Sequence, residues 1–198
     1  MELELSEMEV DDVGYNRGRE FIKQNHYTKT VGSACILHGL FLSEYDELVG
    51  CIAYHSPISE NVRKSVFGED MKDFVIELQR LVTLDECPKN TESYFISRSL
   101  NKLKAETNYN AVISFADSTE GHVGKVYQAS NFIYTGMTEK KKFYRKPNGE
   151  LKAPRISSEN ISEKEAIERG WKVEKRESKY KYIFLLENNG LTKTELKK

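Results

Sequence analysis

The chain has 198 residues and a formal net charge of −1, enough for one domain with a full core or two small ones. Its 38% hydrophobic and 11% aromatic content excludes a disordered chain, and no apolar run reaches the roughly 20 residues of a membrane helix. The acidic start MELELSEMEV is not a signal peptide, which opens basic and turns apolar. Cys35, Cys51 and Cys87 show no CxxC spacing, as expected of reduced thiols in a cytoplasmic protein.

Taken in chain order, Leu3, Leu5 and Met8 alternate with acids and predict a first strand. Asp12 caps a helix from Val13 to about His26. ACILHGLFL (34–42) and ELVGCIAYHSPI (47–58) read as a hairpin of two strands. Residues 59–67 suggest a short helix and FVIELQRLVTL (74–84) another strand. Pro88 stops that strand, and Asn90 or Thr91 caps a helix whose Ile96, Leu100 and Leu103 recur at helical spacing beside Phe95. AVISFA (111–116) is a short apolar strand of the kind that sits centrally in a sheet.

Gly121 and His122 start a helix through Phe132, followed by a strand at 133–137. KKKFYRKPNGELK carries a Pro-Asn-Gly turn and reads as a hairpin. Ser162 caps the short helix EKEAIERG, and KYKYIFLL (179–186) is the last strand. Residues 139–155 hold seven positive and two negative charges, a local +5. The expected architecture is α/β, a mixed sheet with helices on both faces and a basic hairpin extension. The whole chain reads as one domain: a core over about 1–138, the hairpin and last strand over about 139–190, and a frayed end at 191–198.

Five places could carry chemistry. His26 and Tyr27 end the first helix, where the helix dipole favours a cationic ring. Arg80 interrupts an apolar strand, a costly position unless it is paired or binds an anion. Asn90, Thr91 and Ser93 stand at a helix start whose free amides suit a phosphate, although Glu92 competes for the same positive end and no glycine run is present. Asp117 ends a central strand, where α/β sheets place ligands, and is followed by His122 and Tyr127. Lys141, Lys142, Phe143, Tyr144, Arg145 and Lys146 interleave cations with aromatics, as DNA-binding surfaces do. Each has a plainer alternative: a surface histidine, a sheet-rim arginine, an ordinary capped helix, a strand-end cap and a solvated basic loop.

ELQRLVTLDECPKNTESYFISRSLNKLK and VISFADSTEGHVGKVYQASNFIYTGMT, with NHYTK before them, resemble the Mom family of DNA adenine-modification proteins over about residues 20–138. The resemblance implies a GNAT-like acyltransferase fold, with which the element order is compatible. It implies transfer of a carbamoylmethyl-type group to adenine N6 in double-stranded DNA, protecting that DNA from restriction. Carried over by position, it implies functional roles for His26, Tyr27, Arg80, Ser93, Asp117 and Tyr127. Asp117 is expected to orient or deprotonate N6, with His26 as the alternative base. Tyr27 and Tyr127 would shape a pocket for a flipped base, and Arg80 and Ser93 would face an acyl-CoA-type donor. Iron enters through the resemblance alone; the sequence shows no metal signature. Two rival readings predict different chemistry: a conventional GNAT enzyme acetylating a small amine or protein, and a DNA-binding antirestriction module without catalysis.

Overall fold

A computed structural model describes residues 3–186, apart from 45, 58, 157 and 158. The frayed end expected at 191–198 lies outside the described residues. A 3-10 turn at Leu5–Glu7 replaces the start of the expected first strand, and β1 (Met8–Asp12) follows it. Asp12 is therefore strand rather than helix cap. α1 (Tyr15–Asn25) starts after Gly14, and His26 is its C-cap residue. β2 (Ile36–Leu42) and β3 (Glu47–His55) form the expected antiparallel hairpin. Next come α2 (Glu60–Phe67), β4 (Val75–Thr83), α3 (Thr91–Glu106) and β5 (Ala111–Asp117).

The helix expected over 121–132 is much shorter. Ser118–Glu120 is a 3-10 turn, and α4 spans only Lys125–Ala129, beginning after Gly124 at φ 75°. A Cβ on Gly124 would also lie 2.3 Å from the Tyr182 ring, so backbone and packing both demand glycine there. β6 (Ile133–Met137) precedes β7 (Lys141–Arg145) and β8 (Leu151–Lys152), the two arms of the expected basic hairpin. β9 (Arg155–Ile156) pairs with β10 (Glu159–Asn160). α5 (Glu163–Glu168) begins where the Ser162 hydroxyl accepts the Glu165 amide, as expected. β11 (Lys172–Arg176), hidden in the polar run KVEKR, pairs with β7 and was not apparent from sequence. β12 (Lys179–Leu185) is the last described strand.

Among the described residues, seven strands form the main sheet in the order β1-β2-β3-β4-β5-β12-β6. Every neighbouring pair is antiparallel except β4 and β5. β12 slots between β5 and β6, which gives the sheet its crossed order. α3 covers one face: Phe95, Ile96, Leu100 and Leu103 pack with Leu40, Ile52, Tyr54, Ile76, Leu78 and Val112. On the other face Ile22 of α1 packs with Leu37, Phe41, Cys51, Ala53 and Val82, and Val66 of α2 with Val75, Ala111, Ile113 and Ile183. With both faces covered, β2 and β3 are buried nearly throughout rather than alternately. A second, three-stranded sheet, β11-β7-β8, carries its own small core of Tyr144, Ile161, Ala166, Trp171 and Val173.

The α3 face also buries a polar trio. Ser99 Oγ lies 2.7 Å from His38 Nδ1 and 2.7 Å from the Tyr54 hydroxyl, and all three residues are buried. Burial pushes the His38 pKa down to about 4. Replacing Ser99 with Ala leaves two buried polar atoms without partners, each costing about 1–3 kcal/mol. Ser99→Ala should lower stability by about 3 kcal/mol, read as a lower urea midpoint with an unchanged m-value.

Candidate active site

The parallel ladder between β4 and β5 runs from Val75↔Ala111 to Leu78↔Ser114 and stops there. On the other side of β4, Ala53 faces Arg80 and Tyr54 faces Leu78, so Gln79 is an extra residue in the strand. Such a bulge bends its strand. Past it the two strands diverge, and a cleft of about 330 Å³ opens at their C-terminal ends, a size suited to a small ligand or a single base. Two side chains satisfy the carbonyls at the fork. Ser114 Oγ donates to Leu78 O at 2.9 Å, and Arg80 Nη1 donates to Gln79 O at 2.9 Å.

His26, Tyr27, Asp117, His122 and Tyr127 all line this cleft, with Glu92 at its α3 side. The structure thus brings together five residues spread over about a hundred positions of sequence. Tyr27 is exposed, stacks on His26 at 4.4 Å between ring centroids and lies 5.9 Å from the His122 ring. Tyr127 packs against Phe132 and Tyr182 at 5.4 and 5.5 Å. Burial pushes its hydroxyl up to about 12, so it stays protonated.

His26 is not the cation that a helix end suggests. Burial, then the nearby positive charge of Arg80 and of His122, push its pKa down to about 4; burial outweighs the helix dipole. The Thr28 amide donates to His26 Nδ1 at 3.1 Å, so the neutral ring carries its proton on Nε2. That makes the ring a hydrogen-bond donor through Nε2 rather than the alternative base expected from sequence.

Asp117 ends β5 opposite Lys179, the first residue of β12. Its Oδ2 is 2.8 Å from Lys179 Nζ, and its Oδ1 accepts from the Thr119 amide and hydroxyl at 3.1 and 2.7 Å. Burial alone would raise the Asp117 pKa, but the bonds from Lys179 and Thr119 outweigh it and hold the carboxyl below the usual carboxylate range. Asp117 is therefore a fixed anion at the cleft wall. Lys179 was missed in the sequence reading. Nothing local marks it; only the β5–β12 register does.

The four residues expected to hold a donor do not converge. Arg80 donates to Thr30 O at 2.8 Å and to Thr30 Oγ1 at 3.3 Å, on the α1 side of the sheet. Asn90 and Ser93 line a separate depression along α3, with Tyr94 and Ser97. Thr91 is buried, and the hydroxyls of Thr91 and Ser93 donate to Pro88 O and Asn90 O rather than outward. The start of α3 offers amides, but Glu92 places a carboxylate among them. This donor set does not fit the pyrophosphate of coenzyme A.

A metal fares no better in the cleft. Among the described residues, three ligating groups gather only at Asp12, His38 and Glu106, on the α3 side of the sheet. There the Lys102 ammonium already bonds Asp11 and Glu106 at 3.0 and 2.7 Å and lies 3.7 Å from Asp12.

The basic run is partly neutralised. Lys142 pairs with Glu163, Arg145 with Glu174 and Lys146 with Glu150. Tyr144 is 2% exposed in the core of the small sheet, which corrects its expected role as a stacking ring for DNA. Phe143 stays half-buried, with the Arg176 guanidinium 5.0 Å from its ring.

The bulged, forked sheet is the fold of the GNAT acetyltransferases. The chain superposes on the ribosomal-protein-S5-alanine acetyltransferase of Vibrio fischeri with a TM-score of 0.52 at 9% identity, covering 94% of this chain and 97% of that one. The spermidine N-acetyltransferase of Vibrio cholerae gives 0.52 at 9% identity, over 91% and 95%. Within that fold the sequence is more particular: a model of the Mom protein family matches residues 7–198. The methylcarbamoylase Mom of Escherichia phage Mu is 32% identical over 135 residues, 67% of this chain and 55% of that protein. The chain belongs to the Mom protein family and spans about half the length of the curated relative it matches.

Because His26 and His38 both have pKa values near 4 against 6.5 for a free ring, neither binds a proton in the folded state between these values, whereas the unfolded chain does. Their contribution to stability is fully present above pH 6.5 and is lost as the pH falls toward 4. In an NMR titration the ring signals of these two histidines should stay fixed from pH 8 to about 5 and move only below it; an inflection near pH 6.5 for either would contradict the burial described here.

Proposed function

We propose that this chain is a DNA-modifying transferase that places a carbamoylmethyl-type group on adenine N6, with the cleft between β4 and β5 as its active site. The observation that carries this reading is the convergence of His26, Tyr27, Asp117, His122 and Tyr127 on one base-sized cleft. The methylcarbamoylase name of the phage Mu relative supports the group transferred.

Adenine N6 is a weak nucleophile because its lone pair is delocalised into the ring. The cleft can help in three ways. Tyr27, stacked on His26 and open to solvent, offers a face on which an adenine swung out of the duplex can stack. The Nε2–H of neutral His26 can donate to a ring nitrogen or a carbonyl of the donor. Asp117, held ionised by Lys179 and Thr119, has lone pairs left on Oδ2 to accept an N6–H. As a bond forms from N6 to the carbon of the transferred group, positive charge grows on N6, and the one of its two protons that faces Asp117 becomes strongly acidic. A carboxylate of depressed pKa is then basic enough to take that proton and stabilises the charge before it leaves. The bond between the transferred carbon and its carrier breaks, and the electron pair departs with the carrier. Adenine altered at N6 would no longer fit restriction enzymes that read that amine in the major groove.

Mass spectrometry of nucleosides from DNA of cells expressing the chain tests the reading: a new adenosine heavier by a carbamoylmethyl group is expected. Asp117→Asn should lower its yield by about 100-fold or more while the protein stays folded. Unmodified nucleosides with the wild-type chain, or normal yield with Asp117→Asn, would overturn the proposal. Binding of acetyl-CoA with acetylation of a small amine would instead favour a conventional acetyltransferase.

A further inference from the structure

The small sheet β11-β7-β8 is covered on one face only. α5 and Trp171 pack on Tyr144 and Val173, and strand alternation then turns Lys141, Phe143 and Arg145 of β7 to the opposite face, with Lys172, Glu174 and Arg176 of β11. The contacts agree. Lys142, an inward residue, pairs with Glu163 of α5, whereas Arg145 reaches Glu174 and Arg176 covers Phe143 across the outer face.

The cross-strand register sets the pattern on that face. Arg176 stands opposite Lys141 at one end, Glu174 opposite Phe143 in the middle, and Lys172 opposite Arg145 at the other end. Four cations thus face one carboxylate. That carboxylate is already taken by Arg145, and among the described residues Lys141, Lys172 and Arg176 have no carboxylate within ion-pair distance. Like charges directly opposite one another in a sheet are unfavourable, and this face has two such pairs, which an anionic partner would relieve.

The spacing points to the partner. Lys141 and Arg145 are four residues apart, so the two cation pairs are ~13 Å apart along the strands. A B-DNA major groove is ~12 Å wide between its two phosphate backbones. The Arg176 end of the face lies close in the chain to the cleft. β11 leads through Glu177 and Ser178 straight into Lys179, the partner of Asp117, and three extended residues span at most ~11 Å.

We infer that the outer face of this sheet is the platform on which duplex DNA docks. Lys141 with Arg176 holds one phosphate backbone, and Lys172, beside the Glu174-paired Arg145, holds the other, which positions the duplex beside the cleft. This inference rests on the proposed function for the identity of the partner. It refines the sequence reading, since Lys172 and Arg176 join the surface and Lys142 and Tyr144 leave it.

The test is a triple variant, Lys141→Gln, Lys172→Gln and Arg176→Gln, in the full chain. Binding to a 30-base-pair duplex is measured against salt by fluorescence anisotropy. Each lost phosphate contact should reduce the slope of log K against log salt by about one, so a fall of about two to three is expected, with weaker binding at low salt. A control variant, Lys104→Gln and Lys164→Gln, changes exposed lysines on α3 and on α5, away from this face. It should leave affinity and slope unchanged. The three substituted side chains are exposed, and an unaltered melting temperature confirms the fold.

A slope and affinity equal to the wild type's, or equal losses in the control variant, would overturn the platform. Asp117→Asn separates this from the catalytic reading: it should lower the yield of the new nucleoside by about 100-fold or more without reducing the salt slope of DNA binding. If the wild type modifies DNA but the triple variant binds normally, the platform fails and the function stands. If the wild type binds through this face but leaves adenine unchanged, the function fails and the platform stands.

Discussion

The cleft exists because two parallel strands part company after four paired positions. Parallel neighbours normally stay hydrogen-bonded for their full length, since every released carbonyl inside the protein costs about 1–3 kcal/mol. Here the extra residue Gln79 bends β4 away, and the carbonyls at the branch point are taken by side chains, Ser114 on one and Arg80 on the other. Arg80 does more than cap. It ties the bend to Thr30, so the connection after α1, which delivers His26 and Tyr27, is anchored to the same point. Its charge also helps keep His26 neutral.

Electrostatics in the site follows from that geometry. A buried ring beside a guanidinium sheds its proton, whereas a buried carboxyl opposite an ammonium keeps its charge. The cleft therefore presents a neutral donor, a fixed anion and a phenol that does not ionise near neutral pH. Positive charge is displaced to a neighbouring surface, where it can meet a polyanion without lowering the basicity of the Asp117 carboxylate further.

Much of this was legible in the sequence where local physics decides the outcome. The α3 face at Ile96, Leu100 and Leu103, the Pro-Asn-Gly hairpin and the Ser162 cap follow from periodicity and turn chemistry. Asp117 could be placed because it ends an apolar strand. What stayed hidden was set by contacts between distant segments. KVEKR has no apolar alternation, because one face of β11 meets solvent and the other needs only Val173, so nothing marks it as a strand. The Lys179–Asp117 pair depends on β12 returning to the middle of the sheet. The helix after Gly121 was overextended because a run of helix-tolerant residues hides two left-handed glycines. His26 was assigned a charge from the helix dipole, which is worth less than the burial that opposes it. Of the residues grouped by nearness in sequence, Asn90 and Ser93 share a depression along α3 away from the cleft, and Thr91 is buried.

The position of β12 has a consequence for how the protein is made. It is the last described strand to leave the ribosome, and it fills a gap between β5 and β6 that has stood open since both emerged. Until Lys179 to Leu185 arrive, those two strands present bare edges, the kind of surface that invites pairing with another chain. Asp117 also waits without its counter-ion. Assembly of the sheet and completion of the Asp117–Lys179 pair are thus one event, timed by the same seven residues. An interrupted chain would have exposed strand edges and an incomplete cleft together, rather than a stable sheet with one altered wall.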